Sequence, residues 1–348
     1  MVEIHNLWRP IVGGVILAVA SSLNLILKGR VTGFSGIIYG AFTLNDYLWR
    51  ITFILGIFIT SNLFYALSND QSYFDSHNAY LSDLSLMGFF ISGLFVGVGT
   101  KLSNGCTSGH GLCGLARLSP RSILAVVTFL SFAIASCTFR SNYPFFNTPD
   151  LLDFSKSLDI KILNLILSGL FTVLLIFLLI KFYRKNELIA FYDVLISFII
   201  GSLMALGLII SGMNKRTKVR DFLNLNIKTW DPTLLILLGV AVSLNMLIYF
   251  YLIKRRENPI LGIKFGIPSF SNIDLSLIMG SAIFGIGWGW SGICPGPALV
   301  DLFIYFPHVI LFLFAMTIGQ FSVTYSIVWF TKIKNIHQKN LLNENLNR

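Results

Sequence analysis

Nine apolar runs, each about as long as a bilayer is thick, decide what this 348-residue chain can fold into. A hydrocarbon core about 30 Å deep is crossed by a helix of roughly 20 apolar residues. Runs of that kind fall near 10–27, 49–67, 83–101, 121–138, 160–182, 188–212, 231–253, 273–291 and 308–331. Inside lipid every backbone N–H and C=O must find its partner within the chain, so such runs become helices. Charged residues make up 12% of the chain, against about one-quarter in soluble proteins, and mean hydropathy is +0.74. That excludes soluble, disordered, collagenous and disulfide-framework classes. The expected fold is an all-α polytopic membrane protein, a single membrane domain over 1–348.

Four further apolar stretches, 31–43, 105–118, 213–225 and 294–305, are too short to cross and rich in small residues. Each follows a span directly, which predicts four short re-entrant helices, and broken backbone at membrane depth survives only against protein or a water-filled cavity. Trp8, Trp49, Trp230 and Trp329 stand at predicted span ends, where an interfacial aromatic belt is expected. The net charge of +10 is scattered between apolar runs rather than gathered on one face, so no nucleic-acid partner is expected; the partner surface is the lipid bilayer. The first residues lack the basic region and cleavage site of a signal peptide, so the first helix is expected to remain.

Counting Lys and Arg between the spans gives nine on the N-terminal side and seventeen on the other. The richer side is cytoplasmic by the positive-inside rule. An inner or plasma membrane location follows, with the N-terminus outside and the C-terminus inside. Five bases between Lys215 and Lys228 dissent, which fits a segment dipping into a pore to meet anions.

An internal repeat is also present. Gly97, Gly99, Ser103 and Cys106 fall on Gly285, Gly287, Ser291 and Cys294 at a constant offset of 188, and a weaker match lays Ser35-Gly36 on Ser211-Gly212. The half-repeats cover about 10–138 and 188–331, and the linking span 160–182 makes the second half enter from the opposite face. Inverted repeats of this kind bring half-helices together at a transport site near the midplane. Cys106 and Cys294 are then expected to approach the centre from opposite sides.

Around Cys106 the chain reads Gly-Cys-Thr-Ser-Gly-His-Gly-Leu-Cys (105–113). Were this an α-helix, Cys106, His110 and Cys113 would share one face, a soft-ligand set suited to Zn or Cu(I). The simpler reading is a narrow path lined by small polar residues, with no metal and no cofactor. Pro295 and Pro297 suit a helix's first turn after Cys294, where a thiol near the helix N-terminus is polarised. Lys101, Arg117, Arg121, Lys215 and Arg216 flank these segments and could steer anions. Cys137 reads as a packing or lipid-facing thiol. No Ser-His-Asp set, paired carboxylates or phosphate loop occurs, so the chain is not expected to be an enzyme.

The stretches GCTSGHGLCGLARLSPRS (105–122) and GWGWSGICPGPAL (287–299) resemble signatures of the YeeE/YedE sulfur-transport family, as do RVTGFSG (30–36) and 208–232. The resemblance implies short helices inserted among nine spans in an hourglass, and uptake of thiosulfate or a related sulfur anion past buried cysteines. Carried over residue by residue, Cys106 and Cys294 become the central thiols, with Cys113 beside them. The expected substrate-binding set also takes in Thr32, Ser35, Ser108, His110 and Ser211. Thiosulfate importers of the family tend to read G-R-x-C where this chain reads Gly29-Arg30-Val31-Thr32, so sulfite, sulfide and persulfide stay open as cargo. A cytoplasmic sulfur-accepting protein is a candidate partner. The rivals are a membrane sulfur-transfer protein that carries persulfide on Cys106 and Cys294, and a soft-metal carrier.

Overall fold

The structure, a computed structural model, describes residues 7–346 apart from 45, 69, 82, 148–159, 186, 226–229, 263 and 269–272. In chain order the helices are α1 (Trp8–Lys28), α2 (Phe34–Phe42), α3 (Tyr47–Leu67), α4 (His77–Leu81) and α5 (Leu86–Ser103), followed by a π-helical segment Thr107–Gly114. Then come α6 (Pro120–Asn142), α7 (Ile160–Arg184), α8 (Leu188–Ser211), α9 (Arg216–Leu223), α10 (Thr233–Ile248), α11 (Leu275–Ser291), α12 (Pro295–Asp301) and α13 (His308–Leu346). Among the described residues nine helices are long and apolar enough to cross a membrane, and no strand occurs. The protein is an all-α polytopic membrane protein.

The ends of the spans follow from local chemistry. The apolar run from 83 becomes helical only at Leu86, because the Ser85 hydroxyl accepts the Gly88 N–H at 3.3 Å and fixes the N-cap there. Asp274 does the same for α11, accepting the Leu277 N–H at 3.1 Å. Four spans end alike. α1, α5, α8 and α11 close on Gly29, Asn104, Gly212 and Gly292, all left-handed with φ of 69°, 59°, 72° and 69°. After each the chain runs extended through Gly33, Cys106, Lys215 or Cys294, and a short helix begins. A left-handed residue stops helical propagation without leaving the last carbonyls unpaired, and glycine adopts it without a Cβ penalty.

Small residues then set how closely the spans pack. Gly97 lies against the backbone carbonyl of Met316 on α13, and Gly285 against that of Phe129 on α6; a Cβ at either would overlap the facing chain. Gly99 abuts Phe284 on α11, while Gly287 abuts Ser92 on α5. Gly97 and Gly99 thus have counterparts in Gly285 and Gly287 that meet the matching neighbours in the other half. The weaker match does not survive: Ser35-Gly36 sits inside the first turns of α2, whereas Ser211-Gly212 ends α8. Gly212 corresponds instead to Gly29, the other left-handed cap. α7 lies at the periphery and makes a small separate cluster through Leu175 with Ile59 and Val194.

Two further expectations need correction. Trp49 does not join an aromatic belt: it is buried, with the guanidiniums of Arg30 and Arg50 over its ring at 4.7 and 4.9 Å. Trp8 and Trp329 are exposed, as lipid-interface rings are. Of the five dissenting bases near 215–228, Lys228 lies outside the described residues, and two do meet an anion, but it is the protein's own. Arg216 and Arg220 of α9, together with Arg140 of α6, converge on the Asp83 carboxylate, with Arg220 at 2.9 Å and Arg140 at 3.3 Å. Burial would push that carboxyl up, but the three guanidiniums outweigh it and hold Asp83 at about 2.

Candidate functional site

Cys106 and Cys294 are the N-cap residues of the π-helical segment and of α12, both in extended backbone and both 1% exposed. The two side chains line one cavity of about 30 Å³, walled also by Phe34, Thr107, Ser108 and Gly296. That is room for about one water, so anything larger needs a wall to move. Ser108 Oγ lies 3.3 Å from the Cys106 sulfur and accepts the Phe34 N–H at 3.1 Å. Trp288 and Thr107 lie alongside the Cys294 sulfur.

The donor set is sparse for a chemical reason. Pro295 and Pro297 carry no N–H and the Ala298 N–H is already bonded to the Cys294 carbonyl, which leaves Gly296 as the free backbone donor in that turn. Thiols are weak donors. The cavity therefore offers soft, polarisable contacts and few strong ones.

A second, wider cavity of about 350 Å³ adjoins the first across a thin septum. Gly33 and Gly109 line the wide cavity while their chain neighbours Phe34 and Ser108 line the narrow one. The wide vestibule carries Arg30, Arg50, Lys101, Arg117 and Arg121, and among the described residues no carboxylate lines it. Arg30 pairs with Asp193 at 2.9 Å and Arg121 with Asp274 at 3.2 Å, while the Lys101 ammonium stands 3.6 Å over the Tyr39 ring. Arg117 Nη1 is buried without a hydrogen-bond partner. Such a wall attracts anions.

The other expected site residues divide between the walls and the framework. Ser35 and His110 line the vestibule. Both ring nitrogens of His110 are occupied, by Ser122 Oγ at 3.1 Å and the Ser103 carbonyl at 3.2 Å. Cys113 points toward the Thr32 carbonyl, 4.0 Å away. Cys106, His110 and Cys113 thus have different partners, and among the described residues no three His, Cys, Asp or Glu side chains are grouped to hold a metal. Thr32 is fully buried and its hydroxyl accepts from Asn24 Nδ2 at 2.9 Å, away from either cavity wall. Ser211 is likewise buried, its hydroxyl donating to the Leu208 carbonyl and accepting the Met213 N–H.

Cys137 is not lipid-facing. It lines a third cavity, about 380 Å³, with Arg140, Arg220 and Asp83. Arg121 and Arg140 lie near opposite ends of the 23-residue α6, roughly 30 Å apart at 1.5 Å per residue, so this cavity and the basic vestibule open toward opposite faces. The residues that composition and motif reading missed are Arg50, Phe34, Gly296 and Asp301. Asp301 had a legible signal, being an acid seven residues beyond Cys294 in an otherwise uncharged stretch.

Residues 3–134 match the sulphur transport family, and residues 192–333 match a family of unknown function (DUF6691). A protein of Xylella fastidiosa strain Temecula1 named "Probable transporter" is 36% identical over 136 residues, 39% of this chain and 96% of its own length. A second "Probable transporter" of the same strain is 40% identical over 120 residues, 34% of this chain and 80% of its own length. Both are shorter than half of this chain. No solved structure matches it.

Proposed function

The chain belongs to the YeeE/YedE sulfur-transport family, and from that premise we propose that it carries thiosulfate, or a related small sulfur anion, through the cavity shared by Cys106 and Cys294. The observation that supports this reading most directly is the convergence of two thiols, each the N-cap of a short helix from a different half, on one narrow cavity beside a basic vestibule. The half-repeats 10–138 and 188–331 act as the two sides of an inverted repeat, with the constriction at their meeting point.

The chemistry follows from the donors. An anion approaching the constriction loses water and gains the Gly296 N–H, the Ser108 and Thr107 hydroxyls and the two thiols. Those contacts are weaker than the hydration they replace, so the anion is held loosely. Conduction needs sites that bind and also release. The terminal sulfur of thiosulfate is large and polarisable, which suits thiol contacts better than a harder oxyanion would. On the vestibule side the five bases stabilise the anion once past the septum. With the N-terminus outside, the vestibule is cytoplasmic and the direction is inward.

Uptake of radiolabelled thiosulfate into proteoliposomes tests the reading. Cys106→Ala and Cys294→Ala are each expected to cut uptake tenfold or more with the melting temperature nearly unchanged, since both side chains already border empty space. Normal uptake by the double variant would overturn the thiol-lined path. A mass increase of one sulfur on Cys106 or Cys294 after substrate exposure would move the assignment to persulfide transfer.

A further inference from the structure

At the far end of α12 from Cys294 stands a carboxyl with nothing to neutralise it. Asp301 is 0% exposed, and neither carboxylate oxygen has a hydrogen-bond partner. Among the described residues it belongs to no ion pair. The Tyr80 hydroxyl, itself buried and unpartnered, and the Asn214 carboxamide lie beside it without reaching bonding geometry. The offset of 188 that pairs Cys106 with Cys294 pairs Cys113 with Asp301, so an acid stands where the other half has a thiol.

An ionised carboxylate without a counter-cation is strongly disfavoured away from water, whereas the neutral acid is not. An acid kept at such a position in a membrane domain marks a proton or ion path more often than a structural contact. The groups facing Asp301 from its neighbours do not supply the missing charge. Asp75 and Tyr305 are acidic or neutral; the Tyr305 hydroxyl donates to the Asp75 carbonyl at 2.7 Å, and the Tyr80 and Tyr305 rings stack at 3.6 Å. Arg216 lies over the Tyr80 and Phe89 rings, 5.9 and 5.2 Å from their centroids, and is committed to Asp83 and to the Tyr80 and Ser291 carbonyls. His77 lies against Tyr305 and bonds the Ile304 carbonyl, and His308 lies edge-on to Phe89. Asp75, held by Thr217, is the most exposed acid of this cluster at 9%.

We propose that Asp301 is a proton-binding carboxyl whose loading and release couple passage of the sulfur anion past Cys294 to co-transport of a proton. The inference rests on the transport reading above. One proton is taken from water on the Asp75 side and leaves with the anion on the other face. Because Cys294 caps the start of one seven-residue helix and Asp301 is its last residue, a displacement of α12 that opens the thiol cavity also alters what surrounds the carboxyl. The coupling also answers an electrostatic need. A divalent anion moving inward is opposed by twice the membrane potential, and each accompanying proton removes one charge from that opposition.

The experiment uses the full chain in proteoliposomes with radiolabelled thiosulfate outside, a pH-sensitive dye inside, and the potential clamped by potassium and valinomycin. Thiosulfate addition should acidify the lumen, and an acid-outside gradient should raise accumulation severalfold. Asp301→Asn should reduce both effects at least tenfold while isotope exchange at equal pH continues. Wild-type uptake without acidification, full acidification by Asp301→Asn, or uptake that follows sodium instead of protons would overturn the inference and leave the transport reading standing. Should Asp301→Asn fail to fold, Asp301→Glu, which keeps a proton-binding carboxyl in a changed position, should retain acidification with a shifted dependence on external pH, and an unshifted dependence would overturn the inference. Absence of any thiosulfate flux would instead overturn the transport reading, and this inference with it.

Discussion

At the scale of single residues the narrow cavity is governed by contacts with no spare room. A Cβ on Gly296 would lie 2.8 Å from two carbons of the Phe34 ring, and Phe34 is itself buried. Gly296→Ala therefore pushes that ring toward the thiols, and thiosulfate uptake is expected to fall tenfold or more while Cys106 and Cys294 remain. Thr32 supports rather than lines. Thr32→Val keeps the shape but leaves the buried Asn24 amide without its acceptor, a loss of about 1–3 kcal/mol in stability. Thermal melts in detergent should show that loss, and the KM for thiosulfate should not change. A raised KM would return Thr32 to the substrate path.

At the scale of elements, glycine fixes the spacing of α5 and α11 against their neighbours. Gly97→Ala and Gly285→Ala each place a methyl into a facing backbone that cannot give way, as Met316 and Phe129 are held in their own helices. Overpacking of this kind costs about 1–3 kcal/mol. The two variants should destabilise the protein by similar amounts if the halves are equivalent. A second element-level device is the Asp83 cluster, which ties the chain before α5 to α6 and α9. Its carboxyl is lowered from 3.8 to about 2, so the folded state favours the charged form. The stabilisation is fully present above about pH 4 and is lost as pH falls through about 2, roughly 2 kcal/mol in all. Acid unfolding followed by melting temperature should show this step, and Asp83→Asn should abolish it. That variant should also be less stable at neutral pH by about 3 kcal/mol or more, because Arg216 stays buried without its counter-ion.

At the scale of the molecule, two features lie next to each other: a basic vestibule and a narrow cavity lined by Cys106 and Cys294. Nine bases against seventeen between the spans are the basis for the proposed orientation, in which that vestibule faces the cytoplasm. Reporter fusions at both ends should report the N-terminus outside and the C-terminus inside; both ends on one side would contradict the nine-span topology. Two of the dissenting bases, Arg216 and Arg220, are already paired with Asp83, which removes much of their weight as topological signals. Salt should lower the uptake rate through the vestibule's field, and Arg117→Gln should lessen that dependence without altering the melting temperature.

The nine spans, the short helices that follow four of them and the pairing of Cys106 with Cys294 were legible in the residues, because lipid leaves the backbone little choice and small residues mark where helices break. Gly97, Gly99, Gly285 and Gly287 announced close packing but not their partners. Which side chains meet was decided by the tertiary structure. Thr107–Gly114 winds as a π-helix, and no local pattern distinguishes that winding from an α-turn. Thr32 and Ser211 carry the same hydroxyls as cavity-lining residues, yet their bonds to Asn24 and Leu208 turn them inward. Asp83 and Asp301 are both acids beside apolar runs. Only the fold brings three guanidiniums to the first and leaves the second alone, because charges far apart in sequence are paired by packing rather than by spacing.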